Sequence, residues 1–398
     1  MRVRVLIVTK LFPNPLDPEI IPYNRQQFSA LGRIADVKVL ATIPWFPGAH
    51  AFGRWSMAGR LADVPPASVV DGLAVDHPRY LFVPKVGHGA AAVLYAASLL
   101  PVVAPYRGKV DVVLGAWAYP DGVAAVILAK RLGVPAVVKV HGSDINVLPK
   151  SAGPRWNMRR GLPRASRIVA VSRALGDAVA ALGVPKDRIV VVPNGLDRAL
   201  FRPRDRAEAR AELGYPPDGR WIVFVGRVEA AKGVLDLLEA FARVAAERRD
   251  VTLAIVGEGV DLPACRAAAA RWPGRIVVAG ARPLAEVPRW MAACDVLTLP
   301  SWNEGTPNVL VEALACGRRV VASDVGGIPD VVTAPALGEM VPARDPPALA
   351  AALERAVYAD YDPEDVAARN PRGDWSESAA RLHDVLAAAI ASPRRGAA

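Results

Sequence analysis

A doubly wound α/β architecture, repeated in two Rossmann-like domains, is the fold class that this sequence predicts. Three observations carry the prediction. Short β-branched runs recur along the whole chain, each is nearly continuous in apolar residues, and helical segments separate them. Strands of that kind belong to parallel sheets covered on both faces. Two such series in 398 residues exceed the usual length of one domain and point to two.

The first series reads "VRVLIVT" (3–9), "DVKVLAT" (36–42), "VDVVLGA" (110–116), "PAVVKVH" (135–141), "RIVAVS" (167–172) and "RIVVVP" (188–193). A polar, turn-rich stretch (193–209) then divides an N-terminal domain, 1–197, from a C-terminal one, 198–398. The second series is "RWIVFVG" (220–226), "VTLAIVG" (251–257), "RIVVAG" (275–280), "DVLTLP" (295–300) and "RVVAS" (319–323). An amphipathic helix from Trp375 to Ile390 and a basic tail, "PRRGAA", close the chain. The uncharged run Val86–Tyr106 is long enough to span a bilayer. Its alanines, its two late prolines and the strand that follows favour a buried or interfacial helix.

Hydrophobic residues make up 52% and charged residues 22%, which describes a folded chain with a sizeable core and excludes disorder. Cys265, Cys294 and Cys316 are too widely spaced for a metal pattern or a disulfide framework, so a cytoplasmic, reducing compartment is expected. The opening "MRVRVLIVTK" is too short for a signal-peptide core. Net charge is +10, unevenly placed: residues 1–200 hold 25 Lys and Arg against 12 Asp and Glu. That surplus suits an anionic ligand or surface, an anionic membrane included, or else is a solvated basic face.

In open α/β sheets ligands bind beyond the carboxyl ends of the strands, and the distinctive residues of this chain follow strands. No G-x-G-x-x-G succeeds the first strand and no P-loop occurs, so dinucleotide and nucleoside-triphosphate readings lose their main support. In "EGTPNVLVE" (Glu304–Glu312), Thr306 reads as an N-cap and Pro307 as the first helical residue. The amides of Asn308, Val309 and Leu310 would then form an anion cradle between two carboxylates. A capped surface helix with incidental acids is the plainer alternative. "VGRVEAAKG" places Gly226, Arg227 and Lys232 where two cations can clamp a pyrophosphate, or where a salt-bridged loop would have them. Gly257 and Gly259 permit close backbone approach to a ligand. His141 ends a strand; a lone histidine is more often structural than catalytic, but that position shifts the balance toward function. "DYD" (360–362) resembles a metal-binding D-x-D but reads as solvated surface, and no bound metal or cofactor is expected.

Together these motifs resemble the family 4 retaining glycosyltransferases of the GT-B fold. "EGTPNVLVE" matches their E-x7-E motif, Gly226, Arg227 and Lys232 their donor-pyrophosphate motif, and "HGSD" (141–144) their N-domain histidine loop. "NGLD" with Phe201 and Pro203, and "ASDVGGIPDVV" (322–332), also follow the pattern. The resemblance spans nearly the whole chain and is strongest over 185–335, nearest to exopolysaccharide or teichuronic-acid-type transferases.

The resemblance implies two domains facing a cleft, with residues 374–391 crossing back to the N-domain. It implies that Glu304 binds donor-sugar hydroxyls, Glu312 the ribose, and the backbone of Ala281 and Arg282 the base. Arg227, Lys232 and the amides after Thr306 would hold the pyrophosphate, and His141 would line the sugar pocket. The donor would be a nucleotide sugar, UDP-linked, used without a metal. The acceptor would be a glycan, a lipid-linked glycan or a small molecule, with no nucleic-acid partner. Two departures stand out: the loop 10–25 has no glycine, and Asp330 stands where the family commonly has Glu. Other readings of the same residues are an epimerase or phosphorylase on the GT-B fold, or a non-catalytic subunit that binds sugar nucleotides.

Overall fold

The computed structural model of the chain describes residues 2–18, 20–82 and 89–392. Residues 86–88 of the uncharged run and the terminal "PRRGAA" lie outside them. The chain forms two compact units, Met1–Gly195 with Trp375–Ala398, and Leu196–Asp374.

The N-terminal unit contains β1 (Arg4–Thr9), β2 (Asp36–Ala41), β3 (Ile43–Trp45), β4 (Ala67–Val70), β5 (Leu73–Asp76), β6 (Arg79–Leu81), β7 (Val112–Gly115), β8 (Ala136–Val140), β9 (Arg167–Ala170) and β10 (Ile189–Val191). Its main sheet runs β10-β9-β8-β7-β1-β2-β5-β4, parallel except for the β4–β5 hairpin at one edge. The C-terminal unit contains β11 (Arg220–Val225), β12 (Val251–Val256), β13 (Ile276–Gly280), β14 (Val296–Leu299), β15 (Arg319–Ser323) and β16 (Gly338–Val341), ordered β13-β12-β11-β14-β15-β16 and parallel throughout. All eleven strands read from the sequence form, most of them a residue or two shorter. The five that were not read are short. Two of them, β4 and β5, had a usable signal: Asp71 and Gly72 between them both have positive φ (48° and 82°), as a two-residue hairpin loop demands.

Alternation along β1 shows how the sheet is covered. Val5 and Ile7 face a core built with Phe28 and Leu31 of the helix Pro22–Gly32 and Leu382 and Leu386 of the helix Trp375–Ala391. Leu6 and Val8 face the other side, against Tyr95 and Leu99 of the helix Ala91–Val103 and Leu128 of the helix Val123–Leu132. The uncharged run thus supplies a 13-residue helix packed on the sheet by one face. Among the described residues no helix is long and apolar enough to cross a membrane.

In the C-terminal unit a buried charge fixes the first helix, Arg206–Glu212, to the sheet. Arg210 and Asp295, both almost wholly buried, pair at 2.8 Å, and Arg206 (2.5 Å) and Arg220 (3.2 Å) reach the other oxygen of the same carboxylate. The Trp221 amide also donates to Asp295 at 2.7 Å, so the buried charge is fully partnered.

The N-terminal unit has a polar thread of its own. Lys139, the next-to-last residue of β8, is fully buried and donates to Gln27 Oε1 at 2.5 Å. Gln27 Nε2 donates to Ser378 Oγ (2.8 Å), which donates to the Pro193 carbonyl (2.6 Å). This chain ties both helices on that face to the sheet. Burial lowers the Lys139 amine to about 7 from its ordinary 10.5. The unfolded chain therefore binds more protons than the folded one between those values, and the fold gains stability as pH rises through that window. Lys139→Met should remove this dependence, so its melting-temperature advantage over wild type should shrink from pH 7 to pH 10. A difference constant with pH would mean that Lys139 keeps its proton in the fold.

Candidate functional site

In the C-terminal unit the strand order reverses between β11 and β14, so the loops after these strands flank a topological switch point, where α/β sheets place their ligands. The loop after β11 carries Gly226, Arg227 and Lys232. The loop after β14 carries Ser301, Glu304 and Thr306. Two glycines decide how closely they nest. Gly233, with φ 72°, lies so near the Pro300 carbonyl that a Cβ would sit 1.9 Å from its oxygen. Gly326, in the loop after β15, has φ 56°, and a Cβ there would sit 1.9 Å from the Glu304 carbonyl oxygen. Only glycine combines that backbone conformation with that approach.

The nesting brings Lys232 Nζ to 2.6 Å from Glu304 Oε1, and Ser301 Oγ donates to the same oxygen at 2.8 Å. Glu304 is buried, with only 7% of its side chain accessible, and Lys232 is half-buried. Arg227 differs: its side chain is 71% exposed and pairs with Glu229 at 3.0 Å. Both cations therefore have carboxylate partners, and a diphosphate would compete with Glu304 and Glu229 for them. Trp302 braces the loop from outside. Its indole donates to Asp236 (2.7 Å), and the Arg344 guanidinium lies 4.2 Å from its ring centre.

The helix after Glu304 corrects the local reading. It spans Asn308–Ala315, Pro307 occupies the cap position with φ −81° and ψ 72°, and no side chain caps it. The Asn308 amide donates to the Thr306 carbonyl and the Leu310 amide to the Pro307 carbonyl, both at 3.0 Å. Of the three amides expected to face an anion, Val309 alone donates to no carbonyl among the described residues. Tight turning at Thr306–Pro307 consumes the other two. Glu312 is the fifth residue of this helix, just past its first turn, and burial pushes its carboxyl up to about 7. It has no ion-pair partner among the described residues.

The loops after β12 and β13 adjoin this edge. Gly257 lies against the Gly226 carbonyl and Gly259 against that of Val228, and the Val228 amide donates to the Glu258 carbonyl at 2.8 Å. Ala281 and Arg282 are both exposed. The Ala281 amide donates to Glu258 Oε1 at 3.4 Å, and Arg282 is 3.9 Å from Glu286. Gly226, Arg227, Lys232, Gly257, Gly259, Ala281, Arg282, Glu304, Thr306, Asn308, Val309, Leu310 and Glu312 thus all lie in one unit. "DYD" is structural: Asp362 caps the helix Pro363–Ala368, and the Tyr361 hydroxyl donates to the Asp295 carbonyl at 2.6 Å.

His141 belongs to the N-terminal unit. It is 8% exposed and lies between Tyr23 and Trp117, with ring centres 5.3 and 5.9 Å away. Neither ring nitrogen has a hydrogen-bond partner among the described residues. Burial, reinforced by Lys139, holds the imidazole well below the ordinary histidine range, so it is neutral. Asp144 shapes this loop by accepting from the amides of Gly142 (2.7 Å), Ala118 (2.9 Å) and His141 (3.1 Å). Two residues escaped the sequence reading. Asp121, fully buried, accepts from the Lys10 amide at 2.7 Å across the β1–β7 switch point of this sheet, and Trp117 walls the histidine. "WAYPDG" directly after a predicted strand was the available signal.

Comparison with known proteins is consistent across the chain. Residues 219–358 match the model of the glycosyl transferases group 1, and residues 36–200 that of Glycosyltransferase Family 4. The chain is 29% identical over 329 residues to TuaC of Bacillus subtilis (strain 168), which carries the name of a teichuronic acid biosynthesis glycosyltransferase; the match covers 82% of each chain. It is 32% identical over 295 residues to D-inositol 3-phosphate glycosyltransferase 2 of Catenulispora acidiphila, covering 68% of this chain and 69% of that one. Against several other D-inositol 3-phosphate glycosyltransferases the match spans about half of their length. In fold it is similar to Alr3699/HepE of Anabaena, whose crystal structure is a complex with UDP. The TM-score is 0.73 at 20% identity, over 97% of this chain and 100% of that one.

Gly326→Ala should destabilise the C-terminal unit by more than the roughly 1–3 kcal/mol that a left-handed backbone alone costs a side chain, because its Cβ meets a carbonyl. Gly274→Ala, at φ 72° with no atom within 4 Å, should stay inside that range. Equal losses in chemical denaturation would show that the Gly326 contact is not a constraint.

Proposed function

The chain belongs to the group 1, family 4 glycosyltransferases, and from that premise we propose that it moves a sugar, with retention, from a UDP-linked donor to a glycan or lipid-linked acceptor without a metal. The observation that carries the reading is the Lys232–Glu304 pair at the switch point of the C-terminal sheet. In transfer from a nucleotide sugar, negative charge develops on the departing diphosphate. Fixed cations and helix-end amides placed where that charge grows lower the barrier.

Lys232 and Arg227 supply the cations, and the Val309 amide with the helix end behind it supplies the dipole. As Lys232 turns toward the diphosphate, Glu304 is released to accept from hydroxyls of the donor sugar. Glu312, whose carboxyl has no competing cation, accepts from the ribose, and the backbone at Ala281 and Arg282 receives the base. His141 offers a neutral imidazole to a sugar hydroxyl. No residue is assigned as a covalent nucleophile. The acceptor attacks from the face the diphosphate leaves, and the diphosphate takes its proton. The similarity to a fold solved with UDP supports that base. The basic surplus of residues 1–200 supports an acceptor presented at an anionic membrane surface.

Incubation with UDP-, GDP- and ADP-sugars and a panel of acceptors, in EDTA, tests the reading. A UDP-sugar should be consumed, with product of retained configuration by NMR. Lys232→Ala and Arg227→Ala should each lower the rate by about 10² to 10³, the usual weight of one such stabiliser. Rates within a few-fold of wild type for both would remove them from the mechanism. Consumption of donor without transfer to any acceptor would contradict the transferase assignment proposed here.

A further inference from the structure

Away from the residues discussed above, the N-terminal unit has a groove of about 630 Å³ between the helices Ala91–Val103, Val123–Leu132 and Ala152–Gly161. Its rim carries Arg107, Lys130, Arg131, Arg160 and Arg164, all exposed, and no acidic residue lines it. None of the five is within ion-pair distance of a carboxylate among the described residues. What they do bond is other backbone of the rim: Arg107 donates to the Arg131 carbonyl at 2.8 Å, and Arg164 to that of Arg160. Such bonds orient the guanidinium groups without neutralising them. Between the cations the lining is mostly apolar, formed by Val93, Val123, Val126 and Ile127, with Asn157 as its one uncharged polar side chain. Val93 is 57% exposed, and Trp156, beside the groove on the helix Ala152–Gly161, is 55% exposed beneath the Arg160 guanidinium at 4.2 Å.

We propose that this groove seats an anionic phospholipid of a bilayer, phosphate on the arginine rim and acyl chain along the valines. Charge complementarity selects the headgroup, since five uncompensated cations repel one another until an anion lies between them. The apolar part of the lining, with Val93 exposed and Val126 and Ile127 partly so, selects an amphiphile over a soluble phosphate or polyanion, for which apolar surface among the cations would be a loss. Exposed tryptophan beside arginine is the pairing that settles at a membrane interface. The proposal rests on the membrane-surface reading above and gives it a location.

Flotation of the full chain with vesicles of phosphatidylglycerol and phosphatidylcholine tests it. Binding is expected at low salt and not to phosphatidylcholine alone. Lys130→Glu with Arg131→Glu, and separately Val93→Asp, should each cut the floated fraction at least tenfold. The control Lys186→Glu with Arg33→Glu changes net charge equally, on exposed residues outside the groove, and should cut it much less. Equal losses in the groove and control variants would overturn the proposal in favour of diffuse charge, as would unchanged binding of Val93→Asp. So would absence of flotation from anionic vesicles, or full displacement by millimolar inorganic phosphate. UDP binding measured in parallel separates the outcomes, since its loss would strike the donor-site reading and its survival would confine a failure to the groove.

Discussion

Contact between backbones is the constraint on which the candidate site depends. Where Gly233 meets the Pro300 carbonyl and Gly326 meets that of Glu304, no side chain fits, and the loops after β11, β14 and β15 lock at one separation. That separation places an ammonium group against a buried carboxylate at 2.6 Å. A pair so enclosed is held by geometry more than by its own attraction, because desolvation offsets much of the Coulomb gain. In the proposed mechanism its value is that it can be exchanged. A diphosphate offers Lys232 more negative charge than Glu304 does, and a sugar offers Glu304 hydroxyls in return.

The two units use buried charge differently. In the C-terminal unit Asp295 is surrounded by three arginines and an amide, so its charge is compensated and serves to fix a helix. In the N-terminal unit Lys139 has amide oxygens for partners and no carboxylate in contact among the described residues, and burial depresses its amine. Two residues further on, His141 is buried, and neither ring nitrogen has a hydrogen-bond partner among the described residues. Uncompensated polar groups are costly in a core. Their placement at and near the carboxyl end of β8 gives that end a polarity that the apolar carboxyl ends of β7 (Leu114, Gly115) and β9 (Val169, Ala170) lack.

Much of this was legible in the sequence, and the limits have physical causes. Continuous β-branched runs such as "VRVLIVT" and "RWIVFVG" announce central parallel strands because both faces must be apolar. Short edge strands such as β16 have no such requirement and gave no sign. The Asp71–Gly72 hairpin did, through its turn residues. Local propensity misread the start of the helix Asn308–Ala315. Thr306 and Pro307 look like a cap and a first helical residue, but the chain turns one residue later there, beside the Gly326 contact with Glu304. Composition and spacing also could not pair Lys232 with Glu304, which are 72 residues apart and meet only because the strand order reverses between them. The groove was invisible for a similar reason, since its cations come from segments as far apart as Arg107, Lys130 and Arg164.

The central claim is that Glu304 holds Lys232 until a diphosphate takes it. Calorimetric titration of Glu304→Gln with UDP tests this most directly. The side chain keeps its size and loses the charge that competes for Lys232, so UDP should bind more tightly than to wild type while sugar transfer falls. Weaker UDP binding in Glu304→Gln, with the fold intact by circular dichroism, would contradict the account, because Glu304 would then be aiding the diphosphate and not competing with it.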